Sequence, residues 1–243
     1  MQLVYFLLLP SALLSTQQGL IGVIACTIAS STIVAVSVPH VFSWVIGAGP
    51  IDASTAVFVE KTWRLGNCKI PRILHWPTGC RMSNAAVIGM FSFDRKLLLT
   101  DALLQRLDDK ELSMVVLHEL AHCIRFHSWL RIFPTVLTVA MLLSAMTVLS
   151  GVWLSLTCIV MLGQFVASLV AVCWWTEFDA DRVTIDLAAR ASGEPSSINL
   201  SPEYALAMIQ ALNKIYGSRN LSRRSWMHPS GASRIAAIRR SIV

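Results

Sequence analysis

The sequence predicts a mainly α-helical membrane protein in which transmembrane helical hairpins carry a small aqueous domain of helices and a short sheet. Three observations support this. Hydrophobic residues make up 55% of the 243 residues and charged residues only 14%, against about 25% charged in a soluble domain. Mean hydropathy is +0.61. The charges are also segregated: residues 1–51 and 132–176 hold no Asp, Glu, Lys or Arg, and all 20 basic residues fall within 61–131 or 182–240.

The charge-free runs give the spans. A helix crossing a bilayer core needs roughly 20 apolar residues. Residues 19–46 meet this requirement, and residues 3–14 form a shorter apolar run ahead of them. The short run reads as the first arm of an N-terminal hairpin; no positive charge precedes it and no small-residue cleavage site follows. Residues 132–176 are long enough for two spans, with Ser150-Gly151 as the turn. Arg125, Arg131 and Arg182 flank this hairpin, which puts both of its ends on the cytoplasmic side. The chain thus divides into an N-terminal membrane segment (1–50), the first part of an aqueous domain (51–128), a membrane hairpin (129–176) and the second part of that domain (177–243).

Net charge is +6. The basic residues are interspersed with acids and lie beside apolar spans, so membrane topology accounts for them and nucleic acid is not an expected partner. No pair of the six cysteines has metal-site CxxC spacing, and free thiols are expected.

Within the first aqueous block, residues 84–101 read as two short strands broken by "FDRK". Thr100 and Asp101 start a short helix. Asp108 with Glu111 forms a capping box, opening a helix near Asp109. In the tail, "SPEYALAMIQALNKIYG" reads as a helix capped by Ser201 and ended by Gly217.

The Asp109 helix carries "HELAH", residues 118–122. Residues four apart share one helix face, so His118 and His122 can offer imidazole nitrogens to one metal ion. Glu119 can then act as general base on a zinc-activated water. Five-residue HExxH matches also arise by chance, but burying three ionisable groups in so apolar a helix without a metal would be costly. A third ligand is needed. Extending the histidine pattern fails, because Arg125 and Ser128 stand where a glycine and a histidine would be required. His127 falls on the wrong face of a continuous helix and reads as a surface or interfacial histidine. The better source is "EFDAD", residues 177–181. Glu177 completes a His2Glu site, and Asp181, one turn on, can hydrogen-bond the far nitrogen of a ligand histidine. The alternative for Glu177 is a carboxylate at a helix start on the membrane boundary. That plainer reading is adopted for Asp179 and Asp186.

These pieces, with "NAA" from Asn84 and "MHPSGASRI" at 227–235, make the sequence resemble the HtpX and CAAX-prenyl-protease family of integral-membrane zinc endopeptidases over residues 80–240. The resemblance implies a gluzincin-type zinc peptidase domain with one zinc per chain on the cytoplasmic face of a multi-pass protein, as in a bacterial inner membrane. It implies that Asn84 and Ala85 lie on an edge strand binding extended substrate, and that His228 stabilises the oxyanion. Taken alone, Asn84 is a turn residue and His228 a loop histidine. Arg234 either anchors the tail or binds substrate. "SFDRK" departs from the family's glycine-rich turn, and the chain's length favours the compact HtpX-like branch, which cleaves damaged or misassembled membrane proteins. Protein substrates and the lipid bilayer are the implied partners; no oligomeric state is specified. Two competing readings are a receptor-type metallopeptidase resembling β-lactam sensors and an inactive membrane scaffold. The intact His118, Glu119, His122 and Glu177 argue against the scaffold, and the "HPS…RI" ending argues against the receptor.

Overall fold

The structure, a computed structural model, describes residues 17–193, 200–223 and 225–242. The expected first arm at residues 3–14 lies outside them. Helix α1 (Gln17–Val45) is followed by β1 (Gly49–Pro50), α2 (Ala53–Trp63), a 3-10 turn (Arg64–Gly66) and β2 (Arg72–Trp76). Next come β3 (Ala85–Ile88), β4 (Lys96–Thr100), α3 (Asp101–Arg106) and α4 (Asp109–Ile124). The hairpin is α5 (His127–Val148) and α6 (Gly151–Ala191), and α7 (Pro202–Asn220) and α8 (Gly231–Arg240) complete the order.

Three helical stretches among the described residues are long and apolar enough to cross a membrane: Ala25–Val45, His127–Val148 and Gly151–Ala191. Their flanks are apolar and uncovered, with Val136, Val148, Trp153 and Ile159 all more than half exposed, as expected of surfaces that face lipid. The protein is therefore a membrane protein. Gly151, at φ +56, takes the left-handed turn that a side chain would resist. One departure concerns α6. It does not stop at the membrane boundary but runs on without a break to Ala191, so Glu177 sits mid-helix and not at a helix start.

The small sheet has the order β1-β2-β4-β3, with β2 parallel to β4 and the other pairs antiparallel. The two strands read from residues 84–101 are β3 and β4; β1, β2 and α2 add to that reading. Strand β4 lies inside the sheet, and Leu97, Leu98 and Leu99 are all fully buried. A strand covered on both faces needs such an unbroken apolar run instead of alternation. Its first residue, Lys96, is also buried, and its Nζ donates to Pro39 O at 3.1 Å and Ser43 Oγ at 2.8 Å. This pins the end of α1 to the sheet.

Helix α4 is the centre of the domain. Its N-terminus carries the expected capping box: Glu111 N–H donates to Asp108 Oδ1 at 2.9 Å and Asp108 N–H to Glu111 Oε2 at 3.0 Å. Such a cap is worth about 1 kcal/mol. Met114, Val116, Leu117 and Leu120 are buried, because α2, β3, α5, α6 and α7 all pack around this helix. Truncating one such side chain to Ala would cost about 2–5 kcal/mol. Helix α7 breaks at Gly217, the expected stop, where φ 62 and ψ 164 lie outside helical space. A further helical turn reaches Asn220.

Candidate metal centre

The hairpin brings α4 and α6 side by side. His118 and His122 project from one face of α4 towards Glu177 on α6. Three donor atoms meet there: His118 Nε2 to His122 Nε2 is 3.2 Å, His118 Nε2 to Glu177 Oε2 is 3.5 Å, and His122 Nε2 to Glu177 Oε1 is 3.5 Å. Bonds of about 2.0–2.1 Å to a tetrahedral zinc would set the ligand atoms roughly 3.3 Å apart. The donor set and its spacing therefore fit one zinc ion with a fourth position left open.

Other side chains fix these three. Asp181, one turn beyond Glu177, lies 3.0 Å from His118 Nδ1 through its Oδ1. Arg234 of α8 donates Nε to Asp181 Oδ2 at 2.8 Å and Nη2 to Asp181 Oδ1 at 2.5 Å. Its Nη1 lies 3.4 Å from Glu177 Oε2. Arg234 is buried, and it is this pair of carboxylates that it engages, so of its two expected roles the structure shows the anchoring contact. Arg131 of α5 donates to Glu177 Oε1 at 2.9 Å and to Thr176 Oγ1. His228 is half exposed, with Nδ1 3.3 Å from Glu177 Oε1.

Two readings need correction. His127 is not a surface histidine: it is 1% exposed, and its Nδ1 lies 2.8 Å from His122 Nδ1. The cause is a break in the helix. Phe126 adopts φ +54, so α5 starts afresh and the face count from α4 no longer applies. Asp179 is likewise not an idle boundary carboxylate. Its Oδ2 accepts from Arg125 Nε at 2.9 Å and lies 3.0 Å from His127 Nε2. Asp186 pairs with Arg190 one turn on, but like Glu177 it sits within α6 and not at a helix start. The positions that were passed over, His127, Arg131 and Asp179, share a signal: all are ionisable residues at the feet of one charge-free hairpin, where the two arms must face each other.

Glu119 shares the cavity wall with the three donors and reaches towards the sheet. Its Oε2 accepts from Val87 N–H at 3.0 Å. Burial pushes its carboxyl above the ordinary range, with the Glu177 charge adding to this. Burial also holds His122 well below the usual imidazole value. His118 goes the other way. Burial and Arg234 press it down, but hydrogen bonds to Asp181 and Glu177 prevail and bring it to about 9.

Above Glu119 lies strand β3, the outer strand of the sheet. Thr100 N–H donates to Asn84 O, and Asn84 N–H donates to Thr100 Oγ1 at 2.9 Å. Antiparallel alternation then turns the backbone groups of Ala85 and Val87 to the free edge, where Val87 meets Glu119. Asn84 itself is exposed beside β4. A cavity of about 970 Å³ runs along this edge, and its wall includes Asn84, Ala85, His118, Glu119, Glu177 and His228.

The fold is similar to the crystal structure of S. mikatae Ste24p, with a TM-score of 0.56 and 14% sequence identity. The match covers 91% of this chain and 58% of that one, so this chain spans little more than half of that protein's length. No match was found among curated proteins. A family model described as peptidase family M48 matches residues 77–242, from the approach to β3 through the HELAH helix and Glu177 to the end of α8. The chain belongs to peptidase family M48.

Proposed function

We propose that this protein is a membrane-embedded zinc endopeptidase, acting on protein substrates at or in the bilayer that holds it. The observation that carries the reading is the spacing of the three donors of His118, His122 and Glu177, 3.2 to 3.5 Å apart, with a half-buried glutamate next to the first. These three residues would hold one zinc, which when bound supplies a Lewis acid and lowers the pKa of water. Glu119 takes the proton of the attacking water, and Val87 N–H fixes the carboxylate in position. Substrate pairs as an added strand along the free edge of β3, held by the backbone of Ala85 beside Asn84. His228, at the mouth of the site, donates to the oxyanion that develops on the scissile carbonyl. Asp181 fixes His118, and Arg234 fixes Asp181.

The substrates of this reading are membrane or misfolded proteins, and the site faces the cytoplasm, as the arginines at both feet of the hairpin favour. The test compares wild type with Glu119→Gln in detergent, measuring zinc content and cleavage of an unfolded membrane protein. Wild type should hold about one zinc per chain and cleave. Glu119→Gln should keep the zinc and lose cleavage by at least 100-fold, the lower end of what general-base catalysis contributes. A wild type without zinc, or a cleaving Glu119→Gln, overturns the reading.

A further inference from the structure

His122 has its own chain of supporting residues, separate from the one that fixes His118. His122 Nδ1 lies 2.8 Å from His127 Nδ1. His127 Nε2 lies 3.0 Å from Asp179 Oδ2, and Arg125 Nε donates to that same oxygen at 2.9 Å. The His127 ring is fully enclosed, with Trp175 edge-on to it at 6.0 Å between centroids.

With His127 neutral, one placement of protons satisfies all of these contacts. A carboxylate only accepts hydrogen bonds, so the Nε2 that faces Asp179 carries the hydrogen. The Nδ1 of the neutral His127 ring is then an acceptor. His122 must therefore donate from its own Nδ1, which leaves the lone pair on Nε2. That Nε2 is the atom facing His118 Nε2 and Glu177. In the other tautomer His122 would turn an N–H towards the metal position and could not ligate.

We propose that His127 and Asp179 are positioning residues that hold His122 as the Nδ1–H tautomer and fix its ring plane, so that Nε2 is presented to zinc. Arg125 in turn holds Asp179. This rests on the metal-site reading above. The two ligand histidines are thus braced from different directions: His118 by Asp181 and Arg234 of the tail, and His122 by residues at the feet of the membrane hairpin. The coordination geometry on the His122 side is set by how α5 and α6 meet at the membrane surface.

The experiment measures zinc affinity of the full-length, detergent-solubilised protein by competition with a chromophoric chelator, alongside thermal unfolding of the metal-free form. His127→Phe keeps an aromatic ring and removes the acceptor. It should weaken zinc binding 10- to 100-fold, the usual cost of losing an outer partner of a ligand histidine. His127→Asn puts an amide oxygen near the position of Nδ1 and should recover most of that loss. Asp179→Ala should weaken zinc binding in the same direction, and it serves equally if His127→Phe does not fold. His127→Phe and His127→Asn should unfold at similar temperatures without metal, so the recovery of zinc affinity by His127→Asn separates positioning from a merely structural role. Zinc binding within twofold of wild type in Asp179→Ala and His127→Phe overturns the proposal. So does a His127→Asn variant no better than His127→Phe. In either case a wild type that binds zinc leaves the metal-site reading standing; a wild type that binds none removes both.

Discussion

Arg234 and Asp181 form a two-point ion pair inside the protein, Nε to Oδ2 at 2.8 Å and Nη2 to Oδ1 at 2.5 Å. Each side chain is less than 10% exposed. Removing one member of a buried pair leaves the other charge uncompensated, at a cost of about 3–5 kcal/mol. Arg234→Met should therefore lower the unfolding temperature on the order of 10 °C for a domain of this size. Arg234→Lys should also be destabilised, because an ammonium cannot repeat the two parallel hydrogen bonds. Thermal unfolding in detergent checks both. An Arg234→Met variant as stable as wild type would mean that this pair does not hold the tail to α6.

Glu119 sets the expected acid limb of activity. Burial raises its carboxyl above the ordinary 4.5, and a general base works only when ionised. As pH falls through this raised value, kcat/KM should decline about tenfold per unit, starting at a pH higher than an exposed glutamate would give. The measurement is kcat/KM against a fluorogenic peptide between pH 4 and 8. A profile flat down to pH 4.5 is incompatible with Glu119 as the base.

Much of this was readable from the sequence because it rests on local rules. The capping box at Asp108 and Glu111 fixes where α4 begins, and the α4 periodicity then puts His118 and His122 on one face. Two charge-free runs joined by Ser150-Gly151 require a hairpin, and the hairpin puts Glu177 beside them. Strand β2 was harder to read: "RILHW" pairs with residues more than twenty positions away, so its partner and register are tertiary facts. The environment of His127 was harder still. Its burial depends on one left-handed residue, Phe126, where a bulky side chain gives no sign of the break. Arg234 carries no local signal either, since its partner lies 53 positions away.

Asp101 should tie the stability of the loop leading into β3 to pH. Its carboxylate accepts from the Thr78 hydroxyl, from Thr78 N–H at 3.2 Å and from Cys80 N–H at 3.0 Å. These contacts close the loop that leads into β3. The Thr78 hydroxyl, above all, holds the Asp101 carboxyl well below its ordinary 3.8. A carboxylate whose folded value is depressed contributes stability above its unfolded value and loses it as pH falls towards the folded one. Asp101→Asn should thus be less stable than wild type at pH 7, and the gap should narrow steadily below about pH 4. Unfolding temperatures of both proteins at pH 7, 4 and 3 provide the check, and a gap independent of pH would remove Asp101 as its source.

The last prediction concerns the hairpin itself. Arg131 on α5 and Glu177 on α6 lie 2.9 Å apart, and Arg125 and Asp179 pair just beyond them. These two ion pairs fix the feet of both arms at one level and on one side. Past them, neither arm carries a charge until the turn. From residue 132 to 148, α5 rises roughly 25 Å at 1.5 Å per residue, close to the roughly 30 Å of a bilayer core. The turn at 149–150 is therefore expected at the opposite surface. A reporter inserted at that turn should read extracytoplasmic, and one inserted after α6, near residue 193, should read cytoplasmic. If both read on one side, the hairpin lies on the membrane without crossing it, and the metal centre loses the anchor that brings α4 and α6 together.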